Sequence, residues 1–188
     1  SNKYEEKIVK FYDKKTDELV EILPTVIFVK DITQEKIEYK FGYDAINEIE
    51  NRDFYFVNSM FFEIKKWISD DVNKKENLLD DKSDKKVTVS RKEIIRAYLD
   101  YVIERGEEYF KMKFERLHFS APVKLKSKYL RFFKDLYDGI YEIETEENSL
   151  DEGVSIIYNK LHNLISESKN ANSIEPKGKI VILDCGGG

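Results

Sequence analysis

One cysteine, two histidines, one tryptophan and three prolines occur in 188 residues. Each scarcity closes a class of function. A lone thiol, Cys185, forms no disulfide within the chain, so the fold is not a stapled secreted scaffold. His118, His162 and that thiol give no Cys/His spacing of a zinc site. No apolar run approaches the roughly 20 residues that cross a bilayer. No basic-then-apolar leader opens the chain. The expectation is a cytoplasmic, reducing setting with no membrane partner. A dominant charge sign is missing as well: 32 basic and 37 acidic residues are interleaved and leave a net charge of −5. That removes the basic footprint of a nucleic-acid binder, and nucleic acid is not expected as a partner.

What is present is charge and apolar side chains together, 37% and 41% of the chain. The length allows one domain or two small lobes. Such a chain buries about 70% of its unfolded surface, so it needs no metal or disulfide to hold a core. It is expected to be a piece of a larger protein. Ser1 and Asn2 resemble the scar of a cleaved tag, and the final residues stop inside what reads as a working loop.

Residues 7–41 are patterned as an antiparallel β-meander. Ile37, Tyr39 and Phe41 alternate with Glu38 and Lys40, which places the apolar three on one face. The β-branched and aromatic run 23–29 precedes them, and the polar residues 30–35 turn the chain. Pro24 belongs at a strand start or an edge. Two short helices are expected within 42–67, separated by a strand-like run at 53–57, with Phe61, Ile64 and Ile68 at helical spacing beside Trp67. Residues 70–86 are almost wholly polar and read as an exposed excursion. These segments give a first part, 1–86, of β-meander and helices.

The second part, 87–188, reads as strand, helix, strand, helix, strand, helix, strand, the order of a layered α/β domain. Val87 to Val89 form a short strand, and Ser90 with Glu93 has the spacing of a capping box. An apolar stripe follows through Ile94, Tyr98, Val102 and on to Tyr109 and Phe110, if Gly106 is tolerated inside the helix. Residues 117–122 read as a strand stopped by Pro122. Leu130, Phe133 and Tyr137 mark a helix ending near Gly139, and 140–143 read as a strand. A second capping box, Ser149 to Glu152, opens a helix through Val154, Ile157, Leu161 and Ile165. The uniformly apolar run 180–183 suits a central strand covered on both faces.

Asp184 follows that run directly. At the carboxyl end of a strand in an open α/β sheet, its carboxylate sits where ligands bind. Gly186, Gly187 and Gly188 have no Cβ, so the backbone can fold into a hairpin whose N–H groups face an anion. The pattern fits a phosphate loop beside a carboxylate for hydrated Mg²⁺; the same residues also fit an ordinary glycine turn.

The segment 183–188 resembles the second phosphate loop, Asp-any-Gly-Gly-Gly-Thr, of the actin-like ATPase superfamily, especially its DnaK-type heat-shock chaperones. Upstream landmarks fall in the same order. Residues 23–28 resemble the family's Pro-Ser-Val-Val segment, and 41–45 its Val-Gly-any-any-Ala turn. Residues 62–68 resemble the stretch before a phosphate-contacting lysine, 119–122 the strand ending in Val-Pro-Ala, and 150–153 its Asn-Glu-Pro-Thr. The resemblance implies a mixed α+β, ribonuclease-H-like fragment of the first lobe of a nucleotide-binding domain, with a β-meander and a helical subdomain. It implies ATP and Mg²⁺ as cofactors of the parent protein and protein partners beside the nucleotide. Asp184 would order the metal and take part in catalysis, Gly186, Gly187 and Gly188 would bind a terminal phosphate, and Glu152 would be the acidic residue of the lobe-to-lobe switch. Glu152 is equally explained by its capping box.

The sequence departs from the family at several points. The catalytic lysine falls near Asp70 or Asp71, where the charge is reversed; Lys65 and Lys66 are the neighbouring bases. Gly153 replaces the switch proline, and Cys185 replaces an apolar loop residue. The isolated piece lacks the family's first phosphate loop and second lobe, so it is expected to be inactive alone. The alternative expectation is a degenerate, non-catalytic member serving as a protein-interaction or scaffolding module. Association through truncated sheet edges is a further expectation.

Overall fold

The computed structural model describes residues 7–33, 36–52, 56–80 and 87–145. The chain divides into two compact units, Ser1–Lys113 and Phe114–Gly188.

In the first unit, strands β1 (Phe11–Asp13) and β2 (Glu18–Val20) form an antiparallel hairpin with Phe11 opposite Val20. Asp13 closes its turn, accepting from the Lys15 amide at 2.9 Å and the Thr16 hydroxyl at 3.1 Å. Strand β3 (Ile27–Ile32) is central, with β4 (Ile37–Phe41) on one side. Ile27, Phe28 and Val29 are fully buried, which is what the β-branched and aromatic run calls for. The strand runs further than expected, through Ile32, and the Thr33 amide donates to the Lys36 carbonyl at 2.9 Å ahead of β4. Buried polar groups explain the extension. The ladder shifts register between Val29 and Asp31; Asn58 donates to the Val29 carbonyl at 2.8 Å, and the Asp80 carboxylate accepts from the Ile32 amide at 2.5 Å. Pro24 lies ahead of the strand, as expected, with its carbonyl accepting from the Val26 amide.

Helix α1 (Gly42–Glu50) starts at the end of β4 and packs on β3 through Ala45, which meets Val26 and Phe28 with Ile46, Ile49, Phe56 and Met60 around them. Strand β5 (Met60–Phe61) pairs the other edge of β3, with Phe61 opposite Ile27. Phe61 was expected on a helical row; the open edge of β3 takes it into the sheet, and helix α2 (Ile64–Ser69) begins after it. Ile64 and Ile68 are buried as their spacing requires, and Trp67 meets the Phe61 ring edge-on at 5.2 Å.

The polar stretch after α2 is more ordered than its composition suggests. Strand β6 (Lys75–Leu78) pairs antiparallel with β7 (Val87–Ser90), Leu78 opposite Val87. Leu78 is fully buried and Asp80 is 3% exposed. A single leucine and one satisfied carboxylate anchor the segment, a signal too sparse for periodicity to register. Strand β7 thus has β6 as its antiparallel neighbour.

Helix α3 (Arg91–Phe110) opens on the expected capping box. The Ser90 hydroxyl accepts from the Glu93 amide at 3.3 Å, and Glu93 accepts from the Ser90 amide at 2.9 Å. The amides of Arg91 and Lys92 donate to the carbonyls of Lys74 and Val72, which satisfies two more helix-start donors. Ile94, Ile95, Tyr98 and Ile103 are buried, and Gly106 is accommodated inside the helix. Tyr109 was expected in the stripe, yet it is 47% exposed: the periodicity outlasts the packing in the last turn.

In the second unit, β8 (Arg116–Leu117) and β9 (Glu142–Ile143) pair in parallel, connected through a 3-10 turn (Val123–Leu125) and helix α4 (Lys126–Tyr137). Parallel neighbours need such a crossover. Helix α4 buries Tyr129, Leu130, Phe132, Phe133, Leu136 and Tyr137. It ends where expected: Gly139 has φ +70, and the Ile140 amide returns to the Tyr137 carbonyl at 2.9 Å. Of the expected strand 117–122 only Leu117 takes part in this ladder, preceded by Arg116.

The described residues are thus mixed α and β, with small antiparallel sheets, one parallel pair and four helices. Among them no helix is long and apolar enough to cross a membrane.

Candidate functional site

In a parallel α/β unit the carboxyl ends of the strands are where side chains and loop amides converge on ligands. Along β8 and β9 two rungs of opposite charge stand side by side, one at the start of the strands and one just past their carboxyl ends. Arg116 donates from one Nη to both Glu142 carboxylate oxygens at 2.9 Å. Two residues along each strand, His118 Nδ1 lies 3.4 Å from Glu144 Oε2. Register makes the rungs: Arg116 pairs Glu142 and Leu117 pairs Ile143, so His118 and Glu144 continue the same face. Glu142 beside Arg116 raises the guanidinium pKa above its ordinary value, first by the hydrogen bond and then by its charge.

The two rungs differ in environment. Arg116 and Glu142 have side chains 53% and 67% exposed, so solvent screens their attraction. His118 is 60% exposed while Glu144 is only 14% exposed, and the second Glu144 oxygen accepts from the Thr145 amide at 3.1 Å. A shielded carboxylate thus stands beside an open imidazole where the two strands end. Nothing in the local sequence pattern connects His118 with Glu144. The signal was there in the pairing of Arg-any-His with Glu-any-Glu across one helix, but it becomes legible only when the two strands are known to be parallel neighbours.

The residues expected to bind nucleotide, Asp184, Gly186, Gly187 and Gly188, lie outside the described residues, as do Glu152, Gly153, His162 and Cys185. The region expected to carry the phosphate-contacting lysine is described. Lys65 and Lys66 are exposed on α2. Asp70 caps the end of that helix through its amide, which donates to the Lys66 carbonyl at 3.0 Å, and Asp71 accepts from the Asn73 amide at 2.9 Å. Both aspartates therefore serve the turn that leads into β6.

Two other polar features have structural explanations. An open recess of about 610 Å³ at the end of α3 is lined by Glu104, Glu107, Glu108, Lys111, Met112 and Lys113. Its buried carboxylate, Glu107, is held by Lys113 at 2.5 Å. Elsewhere in the first unit, Phe41 of β4 sits 6.0 Å edge-on to Tyr98 and 4.9 Å from Tyr101. The Tyr98 hydroxyl donates to the Pro24 carbonyl at 3.3 Å. No cluster of His, Cys, Asp and Glu among the described residues could hold a metal ion. Comparison with protein-family models, with curated proteins and with solved structures gave no match.

Proposed function

We propose that the chain is a fragment of an Mg-ATP-binding protein of the actin-like superfamily, of the DnaK-type chaperone kind, with nucleotide held between two lobes. The observation that carries this reading is the crossover from β8 through α4 to the parallel β9. Its two strands come shortly ahead of 119–122 and 150–153, the segments that carry the later part of the resemblance, and a parallel strand–helix–strand unit is the kind from which an α/β nucleotide-binding lobe is built. The sequence that follows supplies the matching chemistry: a carboxylate at Asp184 for hydrated Mg²⁺ and three glycine amides at 186–188 for a terminal phosphate. In such a site the metal neutralises charge on the phosphates, and positioning supplies most of the rate. Asp184 would hold the hydrated metal, Gly186, Gly187 and Gly188 would offer amides to phosphate oxygens, and Glu152 would couple the site to lobe movement.

The test is ATP binding and turnover by the full-length parent protein beside its Asp184→Ala variant. The reading expects turnover that falls at least ~100-fold in the variant, the scale of losing a group that stabilises developing charge. A parent that neither binds nor hydrolyses ATP overturns it. The 188-residue chain alone is expected to show no Mg²⁺-dependent binding by calorimetry, because half the site belongs to other segments of the superfamily's fold.

A second reading, a degenerate member acting as a protein-interaction module, is favoured by one observation. Asp70 and Asp71 stand where the resemblance requires a lysine, and both are engaged in turn formation at the end of α2. ATP binding by the parent without hydrolysis is the outcome that selects this reading over the first.

A further inference from the structure

We infer that the outer edge of β4 pairs with the same edge of a second copy of this chain, antiparallel and centred on Tyr39, so that two three-stranded sheets join into one. Strand β4 lies at the side of its sheet with β3 as its neighbour, and no other described strand pairs with it. Its backbone shows which residues face outward. The Gly42 amide donates to the Val26 carbonyl and the Lys36 carbonyl accepts from the Thr33 amide, both at 2.9 Å, so positions 36 and 42 turn their polar groups towards β3. Direction alternates along a strand, so 38 and 40 turn inward as well, and Ile37, Tyr39 and Phe41 turn outward. The far side of β3 agrees: Val29, opposite Tyr39, gives its amide to the Ser59 carbonyl at 2.9 Å, away from β4.

The residues of the strand select a second copy as the occupant. Ile37-Glu38-Tyr39-Lys40-Phe41 reads apolar, charged, aromatic, charged, apolar from either end, with the sign of the charges exchanged. Turned about a two-fold axis through Tyr39, it sets Tyr39 against Tyr39, Ile37 against Phe41 and Glu38 against Lys40 of the other copy. Each outward-facing pair then exchanges both of its backbone hydrogen bonds. Charges on an edge strand usually keep other strands away. Here they oppose every arrangement but one: a parallel pairing, or a slip of two residues in either direction, sets Glu38 on Glu38 or Lys40 on Lys40.

The contacts inside the chain are compatible with this pairing. Lys30 and Lys40 reach Glu38 at 3.1 and 3.3 Å on the same oxygen, Oε1, so Oε2 can accept from Lys40 of the second copy. The side chains of Glu38 and Lys40 are 42% and 32% exposed, which leaves both within reach. On the other face Phe41 meets the rings of Tyr98 and Tyr101, and α3 thereby holds the edge in its extended form. Five residues a side are few against the roughly 20–30 of a stable interface. The dimer is therefore reversible and appears as concentration rises.

Sedimentation velocity of the full chain from ~10 µM to ~1 mM is expected to show a monomer–dimer equilibrium. Lys40→Glu and Glu38→Lys each set like charges against one another, twice per dimer, and each should weaken association at least ~10-fold. Mixing the two variants should restore it, because a strand with two lysines then faces one with two glutamates. The double exchange, Glu38→Lys with Lys40→Glu, keeps the complementarity and should pair with itself. Amide hydrogen exchange of the unaltered chain gives a readout that needs no variant: Ile37, Tyr39 and Phe41 should exchange more slowly as concentration rises. An edge that takes a foreign strand instead would leave the chain monomeric throughout. That result, association that survives both single reversals, single variants that are folded by circular dichroism yet stay apart when mixed, or exchange at 37, 39 and 41 that ignores concentration overturns the proposal.

Discussion

Phe119 lies flat against Phe133, with ring centroids 3.9 Å apart and 13° between the ring planes. Phe133 in turn meets Phe132 and Tyr129 edge-on at 5.5 and 6.2 Å, so one stacked pair ties the segment after β8 to the buried face of α4. Because β8 has only two paired residues, this stack does more than the ladder to fix the crossover. Phe119→Ala is expected to cost about 2 kcal/mol, below the usual range for a fully buried phenylalanine because Phe119 is half-buried. Phe119→Leu should recover much of it. Urea unfolding of the three proteins measures both; an alanine variant as stable as the parent sequence would refute the role given to the stack.

The paired hydrogen bonds of Ser90 and Glu93 make a second prediction. The Ser90 hydroxyl, and after it the Ser90 amide, hold the Glu93 carboxyl below its ordinary value of 4.5. A carboxyl lowered by folding contributes stability above its unfolded pKa and loses it as pH falls through the folded one. Ser90→Ala should therefore cost about 1 kcal/mol at neutral pH. The gap between the variant and the original should narrow in acid, once Glu93 is protonated in both. Denaturation midpoints at neutral pH and at pH 3 decide it, and a gap that stays constant would detach the cap from the titration.

That capping box, the alternation of Ile37, Tyr39 and Phe41, and the glycine stop after Tyr137 were legible because each is a local rule with a local cause. A side chain closes its own helix end, a pleat alternates faces, and a residue without Cβ takes a left-handed turn. What escaped was written in contacts distant along the chain. Asp80 reaches back to the amide of Ile32, and Asn58 to the carbonyl of Val29, and these bonds decide where β3 ends and bulges. Strand β6 is carried by Leu78 amid charge, and only its pairing with Val87 reveals it. The His118–Glu144 contact joins residues on either side of a whole helix, so no window along the sequence contains both.

The tyrosines around β4 set the alkaline behaviour of the first unit. Burial, followed by the charge of Glu93, pushes Tyr39 up from 10.0 to about 12. Burial likewise raises Tyr98 and Tyr101. A phenol whose pKa is raised by folding contributes fully below its unfolded value, and the contribution is lost as pH climbs through the folded value. Stability is therefore expected to hold to about pH 10 and to decline between pH 10 and 12. Lysine deprotonation overlaps this window, so the comparison is with Tyr39→Phe, which should decline less steeply. Parallel slopes for the two proteins would place the alkaline loss elsewhere.

Two glycines with left-handed backbone provide a comparison within one chain. Gly42 has φ +55 and Gly139 has φ +70, so a side chain at either carries backbone strain of about 1 kcal/mol. Their surroundings differ. A Cβ at Gly42 would stand 2.3 Å from Leu23 Cδ1 and 3.2 Å from its Cγ, while one at Gly139 would meet nothing within 4 Å. Leu23 can swing its terminal methyl away but not the branch carbon behind it, so the contact adds a repacking cost where β4 hands over to α1. Gly139→Ala should cost only the backbone strain, and Gly42→Ala about 1–2 kcal/mol more, in the range of an overpacked site. Leu23→Ala combined with Gly42→Ala separates the two contributions: if the clash is the cause, the double variant loses less than the sum of the single changes. Strict additivity would mean that backbone conformation alone keeps glycine at position 42.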